Sequence, residues 1–287
     1  MSELIKIKND KLTVEISTYG AELQSIKNTK GTEYIWEGNP EFWSGKAPVL
    51  FPICGGLKEG KYLLNGKEYS LSKHGFGRTS EFECEKHDDD SAVFLLKSNS
   101  ETLNSFPFEF ELRIIYKLNN NTLDVKYDVK NLSEETMYFS IGAHEGYACP
   151  GGIEEYSVCF DEPQTLNSCL LDGNLLDFST KNIITDSKIL QLKQEYFAVD
   201  ALVFTDVNFS RATLRKNDGT REIIVDFPEH NYMLLWTKPN ADYICIEPWC
   251  GIPDRVGSGY DITKKEGIIA LDANNTYCTH HVITIVK

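Results

Sequence analysis

Residues 108–129 read FEFELRIIYKLNNNTLDVKYDV, and this stretch decides the fold class. Alternate positions are apolar from Phe108 to Leu118, and the alternation resumes after three asparagines, from Leu123 to Val129. Side chains point alternately to the two faces of a strand, so a period of two indicates strands with one buried face. The three asparagines between the runs predict a turn. The stretch therefore predicts a long antiparallel hairpin.

Strand and turn signals of the same kind run along the rest of the chain. Asn65-Gly66 between two short apolar runs is a strong signal for a two-residue hairpin. Turn residues at 217–219 and at 239–241 join further apolar runs, whereas helical periodicity is scarce. Many short strands with turns between them predict an all-β sandwich or barrel with few short helices. No break in composition divides the chain, so we expect a single domain over residues 1–287.

Composition and charge exclude several functions. The 287 residues include 29 basic and 43 acidic side chains, which gives a formal net charge of −14. Such a chain has no general basic face for nucleic acid or for an anionic membrane surface. No apolar run approaches the roughly 18 residues of a membrane span, and the N-terminus lacks a signal-peptide core. We therefore expect a cytoplasmic protein that binds neither nucleic acid nor membrane.

The eight cysteines include no C-x-x-C pair. This spacing gives no support to a zinc site or to a thioredoxin-like redox site. In a reducing compartment such cysteines are mostly small buried apolar residues. We expect no metal and no other cofactor.

Three segments place ionisable residues beside glycine or proline at strand ends. In the first, His74 and Arg78 flank Gly-Phe-Gly, which fits either a ligand-binding turn or a turn that faces water. In the second, His144 follows a β-type run, which fits either a general acid or a histidine that is hydrogen-bonded at the edge of the core. In the third, Glu247 closes an apolar strand before Pro248 and Trp249. Here the surroundings favour a walled pocket over a surface ion pair, with Trp249 placed to stack on a sugar ring.

Taken together, these segments resemble the aldose 1-epimerases (galactose mutarotases), in the branch that includes the LacX-type proteins of bacterial sugar operons. The resemblance spans nearly the whole chain. It implies a large antiparallel β-sandwich (the galactose mutarotase-like supersandwich) with a sugar cleft. It also implies catalysis without a metal or nucleotide, on a small-molecule sugar, and leaves monomer and homodimer open. The segments that carry it are TYGAEL at 18–23, PVLFP at 48–52, KHGFGR at 73–78, the strand-Gly-x-His stretch ending at 144, and IEPWCGIPD at 246–254.

The resemblance assigns roles by position. Glu247 matches the family's general base, His144 its general acid, and His74 a second histidine near the ring oxygen. These residues suit anomer exchange, in which a base takes the C1 hydroxyl proton and an acid protonates the ring oxygen. The expected sugar contacts are Arg78, Trp249, Asp200, as a weaker match to a hydroxyl-binding aspartate, and Lys58, the only cation near residues 54–57.

Departures from the family pattern keep two alternatives open. Glu145 follows His144 where the family often has proline, and we expect it either to raise the pKa of His144 or to point to solvent. The arginine that many members have near residues 54–57 is absent. A carbohydrate-binding or sugar-sensing protein without turnover is therefore the main alternative. A glycoside hydrolase that pairs Glu247 with Asp254 or Asp200 is a third.

Overall fold

The computed structural model describes residues 2–287. Twenty strands, one α-helix and five 3₁₀ turns make up this part of the chain. The strands are β1 Leu4–Lys8, β2 Leu12–Ser17, β3 Leu23–Asn28, β4 Lys61–Leu64, β5 Lys67–Ser70, β6 Glu83–His87, β7 Ser91–Lys97, β8 Phe110–Asn119, β9 Thr122–Asn131, β10 Met137–Phe139, β11 Glu145–Ala148, β12 Tyr156–Asp172, β13 Leu175–Gln191, β14 Leu202–Phe204, β15 Arg211–Lys216, β16 Glu222–Asp226, β17 Tyr232–Trp236, β18 Tyr243–Trp249, β19 Ile269–Leu271 and β20 Thr276–Ile285. The helix α1 is Ser100–Ser105, and the 3₁₀ turns are Lys58–Gly60, Gly77–Thr79, Ile153–Glu155, Gln194–Phe197 and Ile262–Lys264.

The hairpin predicted from residues 108–129 is confirmed as β8 and β9. The two strands pair antiparallel, with Leu118 opposite Leu123 and Ile114 opposite Tyr127. The apolar positions of both strands are buried, whereas the residues between them remain partly exposed. Burial of one complete face on each strand fixes the register, because a shift by one residue would bring the charged face into the core.

Most strands belong to one antiparallel sheet of 13 strands. Its path runs β11-β18-β17-β14-β12-β15-β16-β20-β9-β8-β7-β6, and β13 pairs with β12 beside this path. Smaller sheets are formed by β1-β2-β3, by β4-β5 and by β10-β19. The prediction of an all-β protein with a large antiparallel sheet and few helices is confirmed. Within residues 2–287, no helix combines the length and apolarity needed to cross a bilayer.

The other predicted hairpins are also confirmed. Asn65-Gly66 connects β4 to β5, residues 217–219 lie between β15 and β16, and residues 239–241 lie between β17 and β18. The last of these hairpins carries the candidate site, because β18 contains Glu247.

Two features were not predicted, the helix α1 and the ribbon formed by β12 and β13. The helix α1 begins with a capping box, in which Asn99 accepts from the Thr102 N–H and the Thr102 hydroxyl accepts from the Asn99 N–H. The long ribbon of β12 and β13 escaped detection because much of β13 is exposed on both faces and the register of the pair shifts repeatedly. Its sequence therefore lacks the alternation that one buried face produces.

Candidate active site

The candidate site is built on one face of β18. Ile244 and Ile246 point into the main core, so the alternate residues Cys245, Glu247 and Trp249 point to the opposite face. On the neighbouring strand β17, Leu234 pairs with Glu247. Strand β11 pairs with the other edge of β18, and His144 immediately precedes β11. The fold thereby brings two of the three predicted segments to one place.

A cavity of about 520 Å³ opens over this face. It is lined by catalytic candidates, aromatic walls and cations. The residues used below are Trp43, Lys73, His74, Arg78, His144, Asp200, Trp236, Lys238, Glu247 and Trp249. The remaining segment, which contains His74 and Arg78, also reaches this cavity. All three segments singled out in the sequence therefore meet here.

His144 and Glu247 form the closest pair of ionisable groups in the cavity wall. The His144 Nε2 atom lies 3.4 Å from Glu247 Oε2, and the two side chains are 11% and 2% exposed. The Trp43 indole lies against the imidazole with ring centroids 5.1 Å apart, and Trp236 meets it edge-on at 5.6 Å. These indoles restrict the orientation of the His144 ring. Because Nε2 and Oε2 are only 3.4 Å apart, a small movement of either side chain brings them close enough for proton transfer.

Burial controls the protonation of this pair. Removal from water lowers the pKa of His144 to about 3 and raises the pKa of Glu247 well above its ordinary value. The ammonium of Lys73 opposes the second effect and lowers the pKa of Glu247. In the free protein both shifts favour a neutral imidazole beside a protonated carboxyl. A protonated carboxyl beside a neutral imidazole holds one proton, and a carboxylate–imidazolium arrangement holds the same number.

His74 is held as a neutral hydrogen-bond donor. Its Nδ1 accepts a hydrogen bond of 3.1 Å from the Gly55 N–H, which leaves the proton on Nε2. Burial, with further contributions from His144, Lys73 and Arg78, lowers the pKa of His74 well below 6.5. The ring centroids of His74 and His144 lie 5.7 Å apart, so both imidazoles border the same part of the cavity. His74 also has a φ of 69°, a left-handed conformation that the surrounding turn must hold in place.

Three cations surround the cavity in a protein of net charge −14. Lys73, Arg78 and Lys238 line it, and none of them has a carboxylate within 4 Å among residues 2–287. The Arg78 guanidinium donates to the carbonyl of Lys73 at 3.3 Å, and the Lys238 ammonium lies 5.9 Å from the Trp236 ring. The cations are therefore available to an anionic group in the cavity.

The other expected sugar contacts differ in position. Asp200 lines the cavity and is partly buried, with one carboxylate oxygen bonded to the Ala201 N–H at 2.8 Å. Trp249 is only 2% exposed and donates from Nε1 to the Ala143 carbonyl, so its indole forms a wall behind His74. Gly142 makes this packing possible, since a Cβ there would lie 2.7 Å from the indole.

Lys58 and Asp254 lie outside the cavity lining. The Lys58 ammonium donates to the Ser258 carbonyl at 3.2 Å and sits over the Tyr260 ring. Asp254 forms a buried ion pair with Lys265 at 2.9 Å. These contacts occupy both residues, so the structure does not bring Lys58 to the sugar side or Asp254 to Glu247.

Both expectations for Glu145 are wrong, because the pKa of His144 is lowered by burial and Glu145 is not among the groups that shift it. Its side chain is 4% exposed, so it does not point to solvent. It lies on the core side of β11, in register with Ile246, and its Oε1 is 3.1 Å from Nε2 of His281. Successive strand residues point to opposite faces. Because the His144 side chain faces the cavity, the Glu145 side chain faces the core.

Several cavity residues were missed by the sequence reasoning. Trp43 and Trp236 carry no motif of their own, and Lys73 and Lys238 are single charges in turns. Cys245, which is buried next to the cavity lining, had a usable signal, because Cys245-Ile246-Glu247 places a thiol and a carboxylate on one strand face. The Cys245 Sγ, the carboxylate of Glu247 and a ring nitrogen of His144 all lie within 4.8 Å of one another.

Comparisons with known proteins find relatives that match nearly the whole chain. The family model for aldose 1-epimerase matches residues 3–277, a range that contains the entire cavity lining. Protein LacX, plasmid, of Lactococcus lactis subsp. lactis is 33% identical over 300 residues, which cover 99% of each chain. A galactose mutarotase related enzyme from Lactobacillus acidophilus has a solved structure with 34% identity, a TM-score of 0.93 and coverage of 99% of this chain and 98% of that one. A galactose mutarotase-like protein from Lactobacillus casei is 28% identical, with a TM-score of 0.94 and coverage of 99% and 100%.

Proposed function

Because this chain belongs to the aldose 1-epimerase family, we propose that it interconverts the α and β anomers of an aldohexose or of a hexose phosphate. The observation that carries this proposal is the His144–Glu247 pair, 3.4 Å apart in the wall of a cavity of about 520 Å³. Anomer exchange needs one proton acceptor and one proton donor beside the same hemiacetal carbon. A buried pair that holds one proton meets both needs.

The reaction uses this single proton twice. Ring opening starts from the carboxylate–imidazolium form of the pair. Glu247 takes the proton of the C1 hydroxyl as the C1 carbonyl forms, and His144 protonates the ring oxygen as the C1–O5 bond breaks. Rotation about the C1–C2 bond exposes the other carbonyl face. On ring closure the two residues exchange roles, and the pair regains its original proton. The proton count of the pair is the same before and after each turnover, so no other reagent is consumed.

The remaining cavity residues orient the sugar. The His74 N–H is directed into the cavity as a donor for the ring oxygen or its neighbour, and Asp200 accepts from sugar hydroxyls. Acid–base catalysis typically contributes about 10²–10⁴-fold. Correct alignment of the reacting groups adds to that acceleration. Free sugars already interconvert in water, so this is sufficient for a useful catalyst.

The charge of the cavity supports inclusion of phosphorylated sugars. Lys73, Arg78 and Lys238 outnumber Asp200 and Glu247 in the lining, and burial opposes ionisation of Glu247. An anionic substituent would gain from this local field although the whole chain is acidic.

The test is NMR of anomeric protons after addition of α-D-glucose, α-D-galactose or their 6-phosphates, with and without micromolar protein. We expect acceleration above the buffer rate, lost in Glu247→Gln, because an amide cannot accept the proton. Glu41→Gln, at an exposed position, is the matched control and should keep the wild-type rate. Equal anomerisation by wild type and Glu247→Gln would refute the mechanism. Sugar binding without any acceleration would favour the non-catalytic alternative.

A further inference from the structure

Directly behind the cavity wall lies a buried thiol that the proposed reaction does not use, packed against the lining residues Trp43 and Trp236. Cys245 is fully buried and lies two residues before Glu247 on the same face of β18. His144 approaches both residues from the start of the neighbouring strand. Together they offer one nitrogen, one sulfur and one oxygen, all within 4.8 Å of one another.

This spacing is close to that of zinc ligands. Zinc–nitrogen and zinc–oxygen bonds are about 2.0–2.2 Å long, so two such ligands in a tetrahedron lie about 3.3–3.5 Å apart. The His144 Nε2 and Glu247 Oε2 atoms are already 3.4 Å apart. With a zinc–sulfur bond of about 2.3 Å, Sγ has to lie about 3.5–3.7 Å from the other two atoms. A shift of roughly 1 Å, within reach of a side-chain rotation, would complete the arrangement.

The charge and chemistry of the three groups also suit such an ion. A thiolate and a carboxylate beside a neutral imidazole balance the two positive charges of the metal, which a buried position requires. His144 and Glu247 line the cavity, so a fourth coordination position would face its interior. The cations Lys73, Arg78 and Lys238 oppose any dication here. The metal–sulfur bond must therefore supply the selectivity, and hard ions such as Mg²⁺ and Ca²⁺ lack it.

We propose that His144, Cys245 and Glu247 form a binding site for Zn²⁺ or another thiophilic divalent cation, and that the bound ion inhibits the protein. Inhibition follows because the metal occupies the lone pairs with which His144 and Glu247 would exchange protons with the sugar. The inhibition rests on the proposed function, whereas binding of the metal does not.

The binding test uses the full chain after treatment with a chelator. Co²⁺ is added as a spectroscopic probe, and Zn²⁺ stoichiometry is measured by competition with a chromophoric chelator. We expect one ion per chain and a near-ultraviolet thiolate-to-cobalt band. Cys245→Ser should abolish the band and weaken Zn²⁺ by at least about 100-fold, the upper end of the loss caused by removing an outer-shell partner. His144→Gln should weaken Zn²⁺ similarly and gives a second variant should Cys245→Ser fold poorly.

Cys278→Ser is the matched control, because Cys278 is an exposed thiol remote from the cavity lining. It should retain the band and the stoichiometry. Binding that is lost in Cys278→Ser but retained in Cys245→Ser would overturn the proposal, and so would equal binding of Mg²⁺.

A second measurement separates this inference from the proposed function. Anomerisation is followed in excess chelator and then with Zn²⁺ added back. Acceleration in chelator that is suppressed by one equivalent of Zn²⁺ supports both proposals. Acceleration in chelator that persists after Zn²⁺ is added, with no Zn²⁺ bound, overturns only the metal site. A cobalt–thiolate band with no acceleration in chelator overturns only the enzyme assignment.

Discussion

The buried pair of Glu145 and His281 gives a quantitative prediction for stability. Oε1 and Nε2 lie 3.1 Å apart, and the side chains are 4% and 0% exposed, so water and salt screen the interaction little. Replacement of His281 by leucine removes one partner and leaves the polar side chain of Glu145 unpaired in the core. Loss of one member of a buried pair costs about 3–5 kcal/mol. The folding equilibrium constant should therefore fall by roughly 10²–10⁴-fold.

The double variant Glu145→Met/His281→Leu should recover most of this loss. Both groups are then apolar and similar in size, and such replacements are often neutral or stabilising. The adjacent pair His280–Glu229 is the matched control, at 3.7 Å but 36% and 51% exposed. Its coupling energy should be no more than about 1 kcal/mol, as for other surface ion pairs.

Urea unfolding at pH 7, followed by tryptophan fluorescence, measures the four corners of each double-mutant cycle. We expect a coupling energy of several kcal/mol for the buried pair and near zero for the exposed pair. Additivity of the two buried substitutions within about 0.5 kcal/mol would show that the groups do not interact, and would refute the reasoning.

Two further predictions concern the cavity. The proposed reaction needs one proton on the His144–Glu247 pair. The rate should therefore fall near pH 3, where the pair gains a second proton. It should also fall above the raised pKa of Glu247, where the pair loses its last proton. The profile of kcat/KM against pH, corrected for buffer catalysis, should thus show a broad plateau, and an acidic limb near pH 6.5 would contradict the burial argument. Lys73→Gln and Arg78→Gln should raise KM for a hexose 6-phosphate at least about tenfold while changing KM for the free hexose much less, since each removes a positive charge that attracts the phosphate group. Equal effects on both sugars, measured in the same NMR assay, would show that these residues do not contact the phosphate.

The parts of the fold that sequence reasoning predicted share one physical property. Strands β8 and β9 bury one face each, so the alternation of Phe110 to Leu118 records their environment directly. In the ribbon of β12 and β13, much of β13 is exposed on both faces, so its sequence lacks a regular alternation of apolar and polar residues. The helix α1 has six residues and depends on one capping box, which is too short for helical periodicity to show.

The candidate site was predictable in its parts but not in its assembly. His74, His144 and Glu247 were each singled out beside a glycine or proline, but more than 100 residues separate Glu247 from the nearer histidine. Their meeting depends on β18 lying between β11 and β17, which no local pattern encodes. Lys58 gives the opposite case, in which proximity in sequence misled the prediction. It follows residues 54–57 directly, but its ammonium lies outside the cavity lining.

Strand β18 and its neighbour β11 explain why charged groups lie on both sides of one buried sheet edge. The period of two places Glu247 on the cavity face of β18, and the same period directs Glu145 to the core while His144 faces the cavity. Glu145 therefore required a core partner, which His281 on β20 provides from across the interior. Its negative charge also raises the pKa of Glu247 from the other face of the sheet. A residue that never contacts a sugar thereby favours the protonated carboxyl, and Glu145→Gln should lower the pH at which the alkaline limb of the rate profile begins.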